Sequence, residues 1–360
     1  MRVTLGDVCE KGASNLKQSD VVNMTGEYPI YGAAGYIGNV DFYHQEKPYV
    51  AIVKDGAGIG RTTLYPAKSS VISTMQYLLP KDNVLPEYLC YVVRHMHLEK
   101  YFTGATIPHI YFRNYKNEQF NLDSLDKQAE IIEILGKAES IILKRRKELA
   151  ELDNLIKARF IEMFGDPNEN PKEYKKRKIK DTCNVITGNT PSRAVSAYYG
   201  DYIEWIKTDN IVSGLINPTT ATEFLSEKGM SVSKTVEKGS ILMACIAGSV
   251  SSIGRVCVTD RKVAFNQQIN AIVPNDYNIL FLYVLLQISK EYLVEGISMA
   301  LKGILSKSKL ENKLLIVPPR EQQEAFATFV KQIDKAKAIV LKALDEAQTL
   351  FDSLMQEYFG

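Results

Sequence analysis

The sequence has few of the residues from which disulfide frameworks, zinc sites and membrane segments are built. Its five cysteines are an odd number, lie far apart and include no Cys-x-x-Cys pair, which excludes a disulfide framework and a zinc knuckle. No apolar run approaches the roughly 18–20 residues of a membrane helix, and residues 1–14 contain no apolar segment of a secretory signal. We therefore predict a cytoplasmic chain without a membrane partner.

An excess of one charge is missing as well. The 44 lysines and arginines face 42 aspartates and glutamates, a net charge of +2, which neither requires nor excludes a nucleic acid as a partner. With 360 residues, of which 45% are hydrophobic and 24% charged, the composition is that of an ordinary globular protein with about two to three domains.

Motifs for catalysis and metal binding are absent too. His95 and His97 are two residues apart, so a helix does not place both on one face as a metal site requires. The glycine-rich stretch 56–61 lacks the spacing and the lysine of a phosphate-binding loop. The carboxylates Asp166 and Glu173 lie in a Pro/Asn-rich junction that is typical of a linker. We predict no catalytic residue and no metal ligand in this chain.

Comparison of the chain with itself reveals a long internal repeat. Residues 163–165 return as residues 358–360, an offset of 195, and Ile-Gly-Arg at 59–61 returns at 253–255, an offset of 194. Near the start, the offset between matching residues falls to 174, so the second copy carries about 20 additional residues. A repeat of this length predicts two modules of one fold that do one kind of work on different targets.

Within each copy, short β-type runs precede helical segments. Apolar runs bounded by glycines predict strands. We predict strands at residues 49–53, 71–79, 241–246 and 264–273, and short helices at residues 86–100 and 279–294. The fold class is therefore α+β, with two mixed α/β domains that alternate with two long helices in a pseudo-twofold repeat.

The long helices are predicted from sustained apolar spacing. Residues 126–164 contain one glycine and no proline, and their apolar side chains recur at intervals of four and three residues, as they do at 326–358. Such heptads predict two helices packed as an antiparallel coiled coil, roughly 57 Å long at 1.5 Å per residue; docking of each helix on its own domain is the alternative. The side chains expected between the helices are Ile131, Leu135, Ile142, Leu149, Leu152, Ile156, Phe326, Val330, Ile333, Val340, Leu344 and Phe351.

The second domain offers loops rich in amide, hydroxyl, guanidinium and aromatic groups. These loops cover residues 188–193, 198–210 and 266–268. Asn and Gln pair bidentately with adenine and Arg and Lys with guanine, while hydroxyl groups hold phosphates. The clustering of these groups favours binding of a nucleic acid.

With these loops and this repeat, the whole chain resembles the specificity subunits of type I restriction–modification systems. The motifs that carry the resemblance are Gly-x-Thr-Pro-Ser-Arg at 188–193, Tyr199-Gly200, Ile-x-Trp-Ile-Lys-Thr-Asp at 203–209, Gly239, Asn266-Gln267, Val317-Pro318-Pro319, Glu321-Gln322, and in the first domain Tyr-Pro-Ile-Tyr-Gly-Ala at 28–33 and Gly-Tyr-Ile-Gly at 35–38. The resemblance implies a first target-recognition domain at 1–122, a first conserved long helix at 123–165, a second target-recognition domain at 166–319 and a second conserved long helix at 320–360.

The resemblance further implies that each recognition domain reads one half of a bipartite DNA target. The helix pair then sets the unread spacer and docks the methyltransferase subunits. The residues nominated as DNA contacts are Lys54, Arg61, Ser73, Thr74 and Gln76 in the first domain, and Thr190, Ser192, Arg193, Lys207, Thr208, Asn210, Arg255, Asn266, Gln267 and Gln268 in the second.

The partners implied by the resemblance are double-stranded DNA, two adenine-N6 methyltransferase subunits that use S-adenosylmethionine, and restriction subunits that cleave DNA with ATP and Mg²⁺. The chain itself would bind no cofactor directly. Three other interpretations stay open on the sequence: the recognition subunit of a methylation-only system, a coiled-coil scaffold that binds proteins rather than DNA, and a nucleotide-binding enzyme built on residues 56–61.

Overall fold

The computed structural model describes residues 1–104, 108–249, 251–297 and 303–360. The chain divides into two compact units, which comprise residues 1–145 with 343–360, and residues 146–342. Each unit therefore combines one α/β domain with a segment of each long helix.

The first unit is built on a four-stranded antiparallel sheet. Its elements are β1 (Arg2–Thr4), α1 (Leu5–Val8), β2 (Cys9–Ala13), α2 (Gln18–Val21), β3 (Tyr28–Gly32), β4 (Gly35–Val40), β5 (Tyr49–Val53), β6 (Thr62–Tyr65), β7 (Ser70–Val71), β8 (Met75–Pro80), α3 (Pro86–His95), α4 (Phe112–Tyr115), β9 (Gln119–Asn121) and the start of the long helix α5 (Leu125–Phe164). The sheet has the strand order β2-β8-β5-β6, beside a three-stranded sheet β4-β3-β7 and the pair β1-β9. Every residue of the central strand β5 is buried.

The second unit repeats this topology with a larger second sheet. Its elements are β10 (Lys176–Lys178), α6 (Ile179–Thr182), β11 (Cys183–Thr187), β12 (Tyr199–Gly200), β13 (Ile203–Ile206), β14 (Phe224–Leu225), α7 (Glu227–Ser231), β15 (Thr235–Val236), β16 (Ile241–Ala244), β17 (Ile246–Ala247), β18 (Val256–Val258), β19 (Val263–Phe265), β20 (Ile269–Pro274), α8 (Ile279–Ile288), α9 (Lys290–Val294), β21 (Gly303–Ile304), α10 (Lys307–Glu311), β22 (Leu314–Ile316) and the start of the long helix α11 (Arg320–Phe359). The order β11-β20-β16-β18 matches the first unit, and β13 pairs in parallel with β19 as β3 does with β7. The additional residues of the second copy enlarge the other sheet to β12-β14-β13-β19-β15.

The two longer segments predicted as strands, 71–79 and 264–273, are interrupted at equivalent places. In the first copy β7 ends at Val71 and β8 begins at Met75, and in the second copy β19 ends at Phe265 and β20 begins at Ile269. The predicted helices are shorter as well. The helix at 86–100 ends at His95, and His97 takes a left-handed φ of 51°, while the helix at 279–294 divides at Ser289.

A buried glutamine fixes the start of each long helix on its domain. The Oε1 of Gln128 accepts a hydrogen bond from the Leu85 amide at 2.8 Å, and the Oε1 of Gln323 accepts one from the Asn278 amide at 2.9 Å. Both side-chain amides donate to nearby backbone carbonyls. Because a buried polar group without a partner costs free energy, these bonds hold the first turn of each helix in place.

Aromatic contacts fix the other ends of the long helices. In the second unit, the Phe164 ring lies 4.9 Å from Phe281, and both pack on Phe326. In the first unit, the ring of Phe359, which is equivalent to Phe164, lies 5.3 Å from Tyr88. Each unit therefore joins the start of one long helix and the end of the other to a single domain core.

The side chains predicted to pack between the helices are all buried or half-buried. The buried ones are Ile131, Leu135, Ile142, Ile156, Phe326, Val330 and Val340; the half-buried ones are Leu149, Leu152, Ile333, Leu344 and Phe351. Ile156, Phe326 and Val330 share one core with domain residues of the second unit, so the end of the first long helix and the start of the second both pack on the second domain. Lys337, a polar break in the apolar spacing, donates to Asp153 at 2.7 Å.

Candidate nucleic-acid interface

Two predicted DNA contacts of the second domain lie against one aromatic pair. Trp205 is on β13 and almost fully buried, and its indole N–H donates to the Asn189 carbonyl at 3.3 Å. The guanidinium of Arg193 lies 4.4 Å from the Tyr199 ring centroid and 5.2 Å from that of Trp205, and the ammonium of Lys207 lies 5.2 Å from Trp205. These cation–π contacts orient both cations at the end of the strand.

Glu223 links the same two cations. Its carboxylate accepts from Arg193 at 2.6 Å and lies 2.8 Å from the Lys207 ammonium. Hydrogen bonds from Lys207 and then Arg193 hold the pKa of Glu223 below its usual range. The Arg193 side chain remains 56% exposed, so a phosphate or a guanine edge can compete with Glu223 for it.

The loops at 188–193 and 266–268 meet through their side chains. The Thr190 hydroxyl donates to the side-chain carbonyl of Gln267, and both residues are exposed, as is Ser192. Asn189, which was not nominated, ties this loop to the chain beyond α7, because its side chain bonds the Val232 carbonyl and the Lys234 amide. The half-buried Gln268 accepts a side-chain hydrogen bond from Asn266 at 3.2 Å.

Three nominated amide residues lie in the interior. Gln76, Asn210 and Asn266 are 3%, 8% and 6% exposed. Gln76 donates to the Tyr115 hydroxyl at 2.8 Å, and Asn210 bonds the Lys207 amide. We therefore remove these three from the candidate DNA contacts, because their side-chain amides are buried and already hydrogen-bonded within the domain.

Arg255 contacts one other nominated residue of the second domain, Thr208, through the Thr208 backbone. Its guanidinium donates to the carbonyls of Ser252 at 3.3 Å and Thr208 at 3.4 Å, and it lines a cavity with residues of the long helices. The Thr208 side chain, half-buried, bonds Asp209 at 3.3 Å.

In the first domain, Lys54 lies in a cleft of about 440 Å³ whose other cations are Lys11 and Arg113. Tyr111 is 46% exposed and stacks under the Arg113 guanidinium at 5.1 Å. The sequence reasoning missed these residues, although the basic and aromatic run at 109–113 is a signal for them. Beside the cleft, the Nδ1 of His109 lies 2.7 Å from a carboxylate oxygen of Asp55.

Arg61 does not line this cleft, although its carbonyl accepts a hydrogen bond from the amide of Val53, the residue before Lys54. It is exposed and donates to the Ala33 carbonyl at 3.1 Å, while Tyr31 and Tyr65 stack at 4.1 Å in the same domain. Ser73 and Thr74 are half-buried in the turn before β8, where the Thr74 hydroxyl has no hydrogen-bond partner among the described residues.

The five cysteine side chains pack in the interior of the domains. All five are buried, and burial raises the pKa to about 11 for Cys90 and Cys183 and to about 12 for Cys9, Cys245 and Cys257. Within the described ranges, no three His, Cys, Asp or Glu side chains converge as a metal site would need. In the same part of the chain, no helix has the length and apolar character to cross a membrane.

Known proteins resemble the chain in sequence along most of its length. The family described as the type I restriction modification DNA specificity domain matches residues 1–154 and 171–348, which correspond to the two repeats. The MjaVIII and MjaIX specificity subunits of type I restriction enzymes from Methanocaldococcus jannaschii are 23% and 22% identical over 332 and 303 residues, or 85% and 75% of this chain and 77% and 68% of those proteins. The HindI specificity subunit from Haemophilus influenzae is 30% identical over 149 residues, 40% of this chain and 31% of that protein.

Solved structures share the fold over the whole chain. The S subunit of a type I restriction–modification system from M. genitalium superposes with a TM-score of 0.62 at 14% identity, covering 100% of this chain and 96% of that one. A chain from a study of complex assembly and conformational transition of the type I system superposes with a TM-score of 0.53 at 15% identity, covering 99% and 97%.

Proposed function

The chain belongs to the family of type I restriction–modification DNA specificity domains, and we propose that each of its two domains reads one half of a bipartite DNA target. The observation that carries this proposal is the convergence of Arg193, Lys207, Thr190 and Gln267 on loops at one end of the second domain. These side chains supply the donors and acceptors that suit base edges and phosphates.

In the second domain, DNA would compete with Glu223 for the two cations. Arg193 and Lys207 are oriented by aromatic rings and paired with one half-buried carboxylate, so they are positioned before DNA arrives. Ser192 and Gln267 are exposed beside them and complete the candidate reading surface.

In the first domain, the candidate contacts are Lys54 and Arg61, joined by the newly placed Lys11, Arg113 and Tyr111. Exposed tyrosine beside arginine suits the face or edge of a base and its phosphate. The different side chains in the two domains support two different half-sites.

The long helices would set the distance between the half-sites as an antiparallel coiled coil. Contacts within the second unit support this pairing, because Lys337 meets Asp153, Phe329 meets Arg159 and Phe326 meets Phe160. From one contact to the next, the residue number increases along the first helix and decreases along the second, as it does in an antiparallel pair. Because the paired helices have a fixed length, the DNA spacer between the two half-sites would have a fixed length too.

Methyltransferase subunits would dock on exposed apolar positions of the long helices. Leu155 and Leu350 are equivalent by the 195-residue offset and are 47% and 55% exposed. Exposed leucines at equivalent positions support one partner subunit for each repeat. With a net charge of only +2, the chain would depend on these partners for much of the phosphate neutralisation.

In this proposal the chain is not itself catalytic. S-adenosylmethionine would bind the adenine-N6 methyltransferase subunits, and ATP and Mg²⁺ would act in restriction subunits of the full complex. The site of action would be the cytoplasm, where the DNA to be modified is located.

Methylation-sensitive sequencing tests the proposal. DNA from cells that express this chain with its cognate methyltransferase subunit is compared with DNA from cells that lack only this chain. We expect a new motif with N6-methyladenine in both halves and an unread spacer of fixed length. Absence of any new motif from a stable complex would contradict the proposal and favour the protein-binding scaffold, and a motif without DNA cleavage in cells that hold all cognate subunits would indicate the methylation-only system.

A further inference from the structure

A cavity of about 310 Å³ lies in the second unit, apart from the loops proposed to read DNA. Its walls come from the two long helices, from α8 and from the turn before β18, and its charged lining residues are Asp153, Lys157, Arg255, Lys290 and Lys337. The volume is at the lower end of the roughly 300–1,000 Å³ that small-molecule sites occupy.

The lining carries more positive than negative charge. Lys337 is 7% exposed and lies 2.7 Å from Asp153, so these two charges cancel. Lys157, Arg255 and Lys290 remain, and no carboxylate of the described residues forms an ion pair with them. Three cations around one cavity in a chain with a net charge of +2 are a local excess.

Backbone carbonyls hold two of these cations in place without neutralising them. Lys290 donates to the Ser251 carbonyl at 2.6 Å, and Arg255 donates to the carbonyls of Ser252 and Thr208. An ammonium has three N–H donors and a guanidinium five, so both retain donors for a ligand. Burial and then the charge of Arg255 lower the pKa of Lys290, as expected when like charges face each other in a partly desolvated site.

The first unit has the opposite charge at the equivalent turn. A Cβ added to Gly254 would lie 3.2 Å from the Lys290 side chain, whereas a Cβ added to Gly60 would lie 2.9 Å from a carboxylate oxygen of Glu99. The equivalent glycine turns therefore lie against a lysine in the second unit and against a glutamate in the first. The basic lining belongs to the second unit and does not follow from the fold.

We propose that this cavity binds a phosphoryl oxyanion, held by Arg255 and Lys290 with Lys157 at the rim. An oxyanion with several acceptor oxygens satisfies the free donors and offsets the repulsion between the cations. The anion is either a phosphate of the DNA backbone or a free phosphate compound. The site does not depend on how the two domains read bases.

Calorimetric titration of the full chain with inorganic phosphate and pyrophosphate tests the site. We expect saturable binding that Lys290→Glu weakens by roughly tenfold or more and that Lys238→Glu, the same charge change at an exposed lysine outside the cavity, leaves within about twofold. Lys157→Ala, at an exposed position that cannot disturb the core, should weaken binding by a smaller factor. Absence of saturable binding, or equal losses in Lys290→Glu and Lys238→Glu, would overturn the proposal.

Salt-dependent DNA binding by the complex with methyltransferase subunits identifies the source of the anion. If the ligand is a backbone phosphate, Lys290→Glu makes the negative slope of log affinity against log salt shallower, by about 0.9 for each lost contact. If the slope is unchanged while phosphate binding is lost, the ligand is a free phosphate compound. The methylation motif is read separately, so failure of this site and failure of the proposed function are distinguishable.

Discussion

The two domains share one fold and differ in the side chains of their candidate DNA-binding loops. Both contain a four-stranded antiparallel sheet of the same order and a glutamine, Gln128 or Gln323, that fixes a long helix. At their loops, the second domain places Arg193 and Lys207 on a tryptophan, whereas the first places Lys54 in a tyrosine-lined cleft. Buried contacts are therefore repeated while polar loops diverge, because a loop residue can change without a cavity or an unpaired group in the core.

The largest expected effect tests whether each domain has its own core. Phe281 is fully buried and contacts Phe160, Phe164 and Phe326. Phe281→Ala should lower the free energy of unfolding of the second unit by about 3–5 kcal/mol, since it removes an aromatic ring from a packed core. Hydrogen exchange should then show a larger loss of protection in β16 and β20 than in β5 and β8. Equal losses in both sheets would contradict two separate cores.

The next prediction separates the two reading surfaces. Arg193→Ala and Lys207→Ala should relax sequence preference at one half-site, and Lys54→Ala and Arg61→Ala at the other, each by about 1–3 kcal/mol of discrimination. The relative methylation rates of competing DNA duplexes that differ in a single half-site measure this loss of discrimination. Equal weakening at both half-sites by any of these variants would make that residue a phosphate contact or a structural residue.

The shared frame predicts equal effects at equivalent positions. Gln128→Ala and Gln323→Ala each leave a partly buried backbone amide without its partner and remove a buried side chain, which should cost roughly 2–3 kcal/mol of unfolding free energy. Gln332→Ala, at an exposed position of α11, is the control and should stay within about 0.5 kcal/mol. Urea denaturation measures all three, and an effect at only one of the two buried glutamines would contradict the equivalence.

The smallest effect concerns an ion pair in the enlarged sheet of the second domain. Glu204 accepts from Arg261 at 2.5 and 2.8 Å, and this bond lowers the pKa of Glu204 from its usual 4.5. The pair therefore stabilises the fold above about pH 4.5 and loses its contribution as the pH falls through the lowered pKa. Glu204→Gln should cost about 1–2 kcal/mol at pH 7. The difference from the native chain should shrink below about pH 4.5 in denaturation curves, and a constant difference would contradict the assignment.

Much of the fold could be predicted because it follows apolar periodicity. The first long helix was expected at 126–164 and spans Leu125–Phe164, since heptad spacing reports the buried face directly. The turn at residues 72–74 was not predicted, because Ile72 and Thr74 are β-branched residues typical of strands, although the chain leaves the strand there. The ends of the short helices depend on local backbone geometry, such as the left-handed conformation of His97.

The candidate site was predictable where its residues are close in sequence. Arg193, Tyr199 and Lys207 come together because short loops at one strand end carry them. Lys11 and Arg113 were missed because the fold brings distant segments to one cleft. Gln76 and Asn266 were nominated because their side-chain amides could bond DNA bases. In the structure the same amides form hydrogen bonds inside the domain, and a sequence does not distinguish base binding from internal hydrogen bonding.

The central claim is that the domains determine the sequence read and the long helices determine the spacing. Insertion of one heptad into both helices, between residues 145 and 146 and between residues 342 and 343, keeps the apolar spacing in phase and lengthens each helix by about 10 Å. Methylation-sensitive sequencing should then show unchanged half-sites separated by a longer spacer, by up to about three base pairs. Altered half-sites, or an unchanged spacer in a stable complex, would contradict the account.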